Sequence, residues 1–68
     1  MDVQIRYVVQ IRNFTLGTWE TVQGFIDLSD PERGRRKATE RLASERTESP
    51  MHLYRLIEER TTVIDSAE

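Results

Sequence analysis

The reactive side chains of this chain are few and scattered. His52 is its only histidine and there is no cysteine, so neither a Cys/His metal set nor a Cys–His nucleophile pair can be assembled from the inventory. A single histidine just after Pro50 reads as a surface or strand-edge residue. Glu58 and Glu59 are the nearest approach to a carboxylate pair for acid/base chemistry. Adjacent residues of a strand point to opposite faces, however, so these two cannot easily share a proton. The three glycines, Gly17, Gly24 and Gly34, are dispersed and build neither a phosphate loop nor a nucleophile elbow. These observations describe a non-enzymatic protein, for which no cofactor, no metal and no small-molecule substrate is expected.

The other group with chemical meaning is cationic. Arg33, Arg35, Arg36 and Lys37 crowd into "ERGRRK", and Arg41 extends the run; they are the candidate contact residues for nucleic acid or a protein partner. Nine of the ten basic residues are arginine, which suits bidentate recognition of phosphate or carboxylate but equally reflects codon usage in an arginine-rich, high-GC genome. Cations in the first turns of a helix oppose its dipole, a mild cost that hints at use. Glu32 and Glu40 bracket the cluster, and no groove-reading motif accompanies it, so a solvated helix surface is the plainer reading. Net charge is −2, which excludes a strongly cationic nucleic-acid binder and a heavily acidic DNA mimic alike. Trp19, Phe14 and Tyr54 could stack on bases, although packing is the commoner use of such residues in a small core.

The elements that must position these residues are short. With 68 residues, 37% hydrophobic and 32% charged, the chain is one small α+β domain spanning 1–68, near the lower limit for a single core. Disulfides and zinc are excluded by inventory, which leaves packing or a partner subunit to stabilise it. No run approaches the roughly 18 apolar residues of a membrane span, and "MDVQIRYVVQ" is unlike a signal peptide. A cytoplasmic protein without membrane contact is the expectation.

From Val3 to Ile11 the odd positions are apolar and the even ones mostly polar, the period-2 pattern of a half-buried strand. "NFTLGT" interrupts it with turn-prone Asn13 and Gly17 before "WETVQGFI" resumes, which predicts an antiparallel hairpin with a loop of about five residues. Gly24 marks a bulge or the end of this second strand. The period then changes: Ser29 with Glu32 fits a capping box, Pro31 suits the first turn and Pro50 bars further helix, which predicts a helix from about Asp30 to Arg46. Its apolar stripe is thin, Gly34, Ala38 and Leu42 with Ala43 alongside, to be complemented by bulk from Tyr7, Trp19 and Ile57. Glu32 with Arg36 and Arg41 with Glu45 are expected i,i+4 pairs. "MHLYRLIEERTTVID" predicts a third strand, followed by a frayed tail at 66–68. The fold class is therefore a ββαβ unit, a three-stranded antiparallel sheet with one helix packed on one face.

Within that last strand, Glu58, Glu59 and Arg60 interrupt an apolar run. Three readings are open: cross-strand contacts from Arg6, Gln10 or Arg12 to Glu58 or Glu59, ion pairs for the two arginines, that fix register, a bulge near Glu58, or a strand buried on both faces, one of them by a second subunit in a homodimer. Val8, apolar on the otherwise polar face of the first strand, points towards the last.

"YVVQIR", Trp19 after a short turn, an acidic helix entry and the ending "YRLIEERTTVID" together resemble small phage- and prophage-encoded proteins of unknown function, especially those of actinobacteria, whose "YRL…RTTTVI"-like ending closes a ββαβ unit. "EERTTVI" has one threonine fewer than the fullest form. The resemblance implies a genomic setting and a small accessory protein that acts by protein–protein contact, on a host factor or by self-association, with nucleic-acid binding through the Arg-rich helix start as the alternative. It supplies no functional residues to carry over.

Overall fold

The computed structural model describes residues 2–64, so the tail expected at 66–68 lies outside the described residues. The elements run β1 (Asp2–Asn13), β2 (Thr18–Ile26), α1 (Pro31–Glu48) and β3 (Tyr54–Val63). The sheet has the order β2-β1-β3, with β1 antiparallel to both neighbours. β2 and β3 therefore run parallel to each other on either side of β1, and α1 is the crossover between them. The Cα trace is 15 Å in its thinnest dimension, room for one sheet and one helix but no third layer.

The hairpin loop, Phe14–Gly17, is one residue shorter than expected. Asn13 organises it: its Oδ1 accepts from the N–H groups of Thr15 and Leu16, each at 3.0 Å, and its carbonyl accepts from Gly17 N–H at 2.8 Å. Gly17 has φ of +70°, a conformation that glycine adopts without steric cost. The register of β1 with β2 slips between Val9 and Gln10, where Val9 faces Gln23 but Gln10 faces Thr21. The extra residue is Val22, two positions before the glycine that suggested a bulge. β3 pairs with β1 without a slip from Tyr54 to Val63, so the bulge considered near Glu58 does not exist.

The helix starts one residue later than the capping-box reading. Asp30 is the N-cap, accepting from Glu32 N–H, and Pro31 is the first helical residue. Ser29 does not cap, because its N–H and hydroxyl are both bound to Asp27 Oδ1, at 3.1 and 2.9 Å. At the far end the helix continues to Glu48 and closes through Ser49 N–H to Glu45 O. Gly34, Ala38 and Leu42 are its buried stripe. Ala38 and Leu42 pack with Tyr7, Val9 and Tyr54, and Ile5, Ile11, Val22, Phe25 and Leu56 border that core. Ala43 is exposed, since one residue beyond Leu42 is a turn of about 100° away from the sheet. Of the two expected i,i+4 pairs, Arg41–Glu45 forms at 2.7 Å, while Glu32–Arg36 is not among the ion pairs of the described residues.

Trp19 and Ile57 do not lie under the helix. Trp19 pairs with Arg12, and Ile57 with Val8, which are the even, helix-free positions of β1. The bulge explains Trp19: a single inserted residue reverses the facing of everything beyond it, so Gln23 and Phe25 share the helix side while Trp19 and Thr21 turn away.

Candidate functional site

The five cations proposed at the helix start do not form one patch. Arg33 is held by Asp27 through Nε at 2.6 Å and also reaches Ser29 Oγ at 3.1 Å. That pairing draws Asp27 far below the usual carboxylate range, with Arg33 the largest cause and Ser29 and the Asp30 N–H next. Arg41 is bound on both sides, to Glu45 Oε1 at 2.7 Å and to Gln23 Oε1 on β2 at 2.8 Å. Arg33, Lys37 and Arg41 follow each other at spacings of four on the β2 side, Arg35 lies on the β3 side, and Arg36 points away from the sheet. Two of the five are thus occupied in holding the fold, and the remaining three diverge.

The arginines that the structure does gather lie on the other side of the molecule, across the helix-free face of the sheet. Strand register sets this face in rows: Trp19, Arg12 and Leu53; Thr21, Gln10 and Arg55; Gly24, Val8 and Ile57; Ile26, Arg6 and Glu59. Arg55 places its guanidinium 4.2 Å from the Trp19 ring centre and Arg12 places its own at 5.5 Å, so the single tryptophan is in cation–π range of two guanidiniums. Arg55 Nε also donates to Gln10 Oε1 at 2.7 Å. Arg6 pairs with Glu59 at 2.9 Å, the cross-strand contact expected of these charges. Gly24 matters here because Arg6 lies over it: a Cβ at that position would stand 3.3 Å from Arg6 Cδ.

Val8 is fully buried although no helix covers it. It lies between Gly24 and Ile57 in its row and is buried within the single chain, so its burial does not require a second subunit. The face is instead completed by exposed apolar residues at its margins. Phe14 and Leu16 at the hairpin tip lie at the same sheet end as Met51 and Leu53, all at least half exposed, while Ile26 and Leu28 are exposed at the opposite end. Arg12 N–H donates to Leu53 O at 2.8 Å, joining the end of β1 to the segment that leads into β3.

The helix side carries a cleft of about 310 Å³ lined by Tyr7, Arg35, Leu56, Ile57 and Glu58. Tyr7 Oη donates to Glu58 Oε1 at 3.1 Å, and Arg60 Nε donates to Glu58 Oε2 at 2.9 Å. Arg60 first, and Tyr7 second, lower the Glu58 pKa; burial first, and Glu58 second, raise that of Tyr7. Glu58 is thus a committed carboxylate and Tyr7 a committed donor, a pairing that offers no base near neutral pH. Among the described residues no group of three His, Asp or Glu is placed to hold a metal, and no buried side-chain nitrogen or oxygen lacks a partner.

The alternation of β1 puts Arg6, Gln10 and Arg12 together on one face but gives no sign of Trp19 and Arg55 beside them. Trp19 was hidden by the bulge, and Arg55 by the pairing of β3 with β1, which no local signal announces. Comparison with known proteins found no matching family model, no matching curated protein and no matching solved structure.

Proposed function

We propose that this chain is a non-enzymatic accessory protein that acts by protein–protein contact through the helix-free face of its sheet. The observation that carries the reading is Trp19 with the guanidiniums of Arg12 and Arg55 over its ring, beside Leu53. Tryptophan and arginine are the residue types that dominate binding energy at protein interfaces, most of all when apolar neighbours surround them. Among the described side chains the face holds three guanidiniums, Arg6, Arg12 and Arg55, against the carboxylate of Glu59, so it suits a partner surface bearing Asp or Glu next to apolar side chains. A phage-derived, cytoplasmic setting in which the partner is a host factor belongs to the same proposal. It is supported by the resemblance of the chain ending and by the absence of cysteine.

Nucleic-acid binding is the competing reading, and the geometry favours it less. Arg33 and Arg41 are already paired, and Arg55 covers one side of the Trp19 ring on which a base would stack. Affinity capture from a host lysate with three forms of the protein separates the two. A partner held through the face is retained by Arg35→Gln/Arg36→Gln and lost, by about 30-fold or more in affinity, with Trp19→Ala. Retention by Trp19→Ala, or Trp19 fluorescence that titrates with a single-stranded oligonucleotide and loses affinity steeply as salt rises, overturns the reading.

A further inference from the structure

We infer that two copies of this chain pair through the free edge of β3, antiparallel and about a two-fold axis at Ile57, joining two three-stranded sheets into one of six strands. The orientation of that edge follows from one hydrogen bond. Arg12 N–H donates to Leu53 O at 2.8 Å, and bonded and non-bonded pairs alternate along an antiparallel ladder. Arg55, Ile57 and Glu59 therefore turn their N–H and C=O groups towards β1, and Tyr54, Leu56, Glu58, Arg60 and Thr62 turn theirs outward. Arg46 Nη2 donates to the Tyr54 carbonyl at 3.3 Å, as an outward carbonyl allows. Among the described residues no strand covers the rest of this edge.

Of the two edges, β3 is the one fit for pairing. β2 is broken by its bulge at Val22, a feature that discourages strand addition, whereas β3 is regular over its ten residues. The charges in its middle then choose the register. Centred on Ile57, the pairing sets Arg55 opposite Glu59 of the second copy, twice by symmetry, with Ile57 against its own copy on the helix-free face. The outward groups of Leu56 meet those of Glu58 of the second copy, as a bonded rung requires. Centring on Glu58 or Glu59 would oppose like carboxylates, and centring on Leu56 leaves Arg55 facing an isoleucine. On the helix side the same axis brings the two clefts lined by Arg35, Leu56 and Glu58 together, and covers the exposed part of Leu56. Glu58, Glu59 and Arg60 are in this arrangement the address of the contact.

The inference goes beyond the contact-face reading and can fail separately from it, since Trp19→Ala removes the face's anchor but no edge group. The test is light scattering over about two decades of concentration, with cysteine variants in a chain that has none of its own. The wild type and Trp19→Ala are expected at twice the 8.0 kDa chain mass at high concentration. Ile57→Cys is expected to oxidise to a linked dimer, because a non-bonded pair on the axis holds its Cα atoms at about 4.5 Å, within disulfide range. Thr61→Cys on the same face, opposite Leu53 of the second copy, stays unlinked. Glu58→Pro removes an outward N–H, which an edge strand tolerates, and gives a monomer with its helical spectrum intact. A wild type at the chain mass throughout, cross-linking of Thr61→Cys as fast as Ile57→Cys, or a dimer that survives in folded Glu58→Pro overturns the inference; where Glu58→Pro does not fold, the two cysteine variants decide.

Discussion

Asp27 makes more contacts than its place in a short loop suggests. One oxygen accepts from Ser29 N–H, Ser29 Oγ and Asp30 N–H, and the other from Arg33, which fixes the turn that delivers the chain from β2 into α1. Each bond favours the ionised form, so the folded pKa lies well below the ordinary value of 3.8, and Glu58 is displaced the same way from 4.5. A carboxyl whose folded pKa is depressed contributes stability that is complete above its unfolded pKa and lost as pH falls towards the folded one. Melting temperature should therefore be level above about pH 5 and fall below it. Asp27→Asn should melt lower at neutral pH and show a shallower acid slope; a slope parallel to that of the wild type would reject the assignment. A helix start near Asp30 could be read from Ser29, Glu32 and Pro31, but not which of three neighbouring side chains caps and which organise the loop. That choice depends on Arg33 folding back six residues, which no local propensity encodes.

The helix docks by closeness rather than bulk. Gly34, Ala38 and Leu42 form the buried stripe, and a Cβ added at Gly34 would find Asp27 N at 3.5 Å and Phe25 O at 3.9 Å, ordinary contact distances. Glycine is thus not needed there for space, and Gly34→Ala should stabilise the protein by about 0.5–1 kcal/mol through helix propensity alone. Leu42→Asp, by contrast, would bury an unpaired charge against Tyr7 and Val9 and should abolish cooperative melting. A Gly34→Ala variant that melts lower, or a Leu42→Asp variant that melts unchanged, contradicts this docking. The helix was legible because its signals are local: the stripe at spacings of four, Pro31 at the start, Pro50 after the end. The second strand was legible only in part, since "ETVQG" has at Val22 nothing that distinguishes a bulged residue from a regular one, and that one residue decided the facing of Trp19.

At the scale of the molecule, β1 is the shared partner of both other strands. The β1–β2 hairpin could be read from Asn13, Gly17 and the alternation around them, as the three-stranded sheet with one helix could be read from the order of elements. The placement of β3 beside β1 could only be glimpsed, in the charges that became Arg6–Glu59. A hairpin alone is marginal in water, and a helix with so narrow an apolar stripe is unstable in isolation. A chain ending at Pro50 should therefore lack the helix as well as β3; a helical circular dichroism spectrum with cooperative melting from that fragment would refute this. The strand order has a further consequence for the protein as it is made. The central strand is synthesised first and its second neighbour last, with β2 and the whole of α1 lying between Asn13 and Tyr54 in the chain. On the ribosome, one side of β1 waits unpaired while β2 and the helix emerge. The chain is most open to capture by chaperones, or to misjoining with a neighbouring nascent chain, in that interval, and the arrival of "YRLIEERTTV" is the event that closes it.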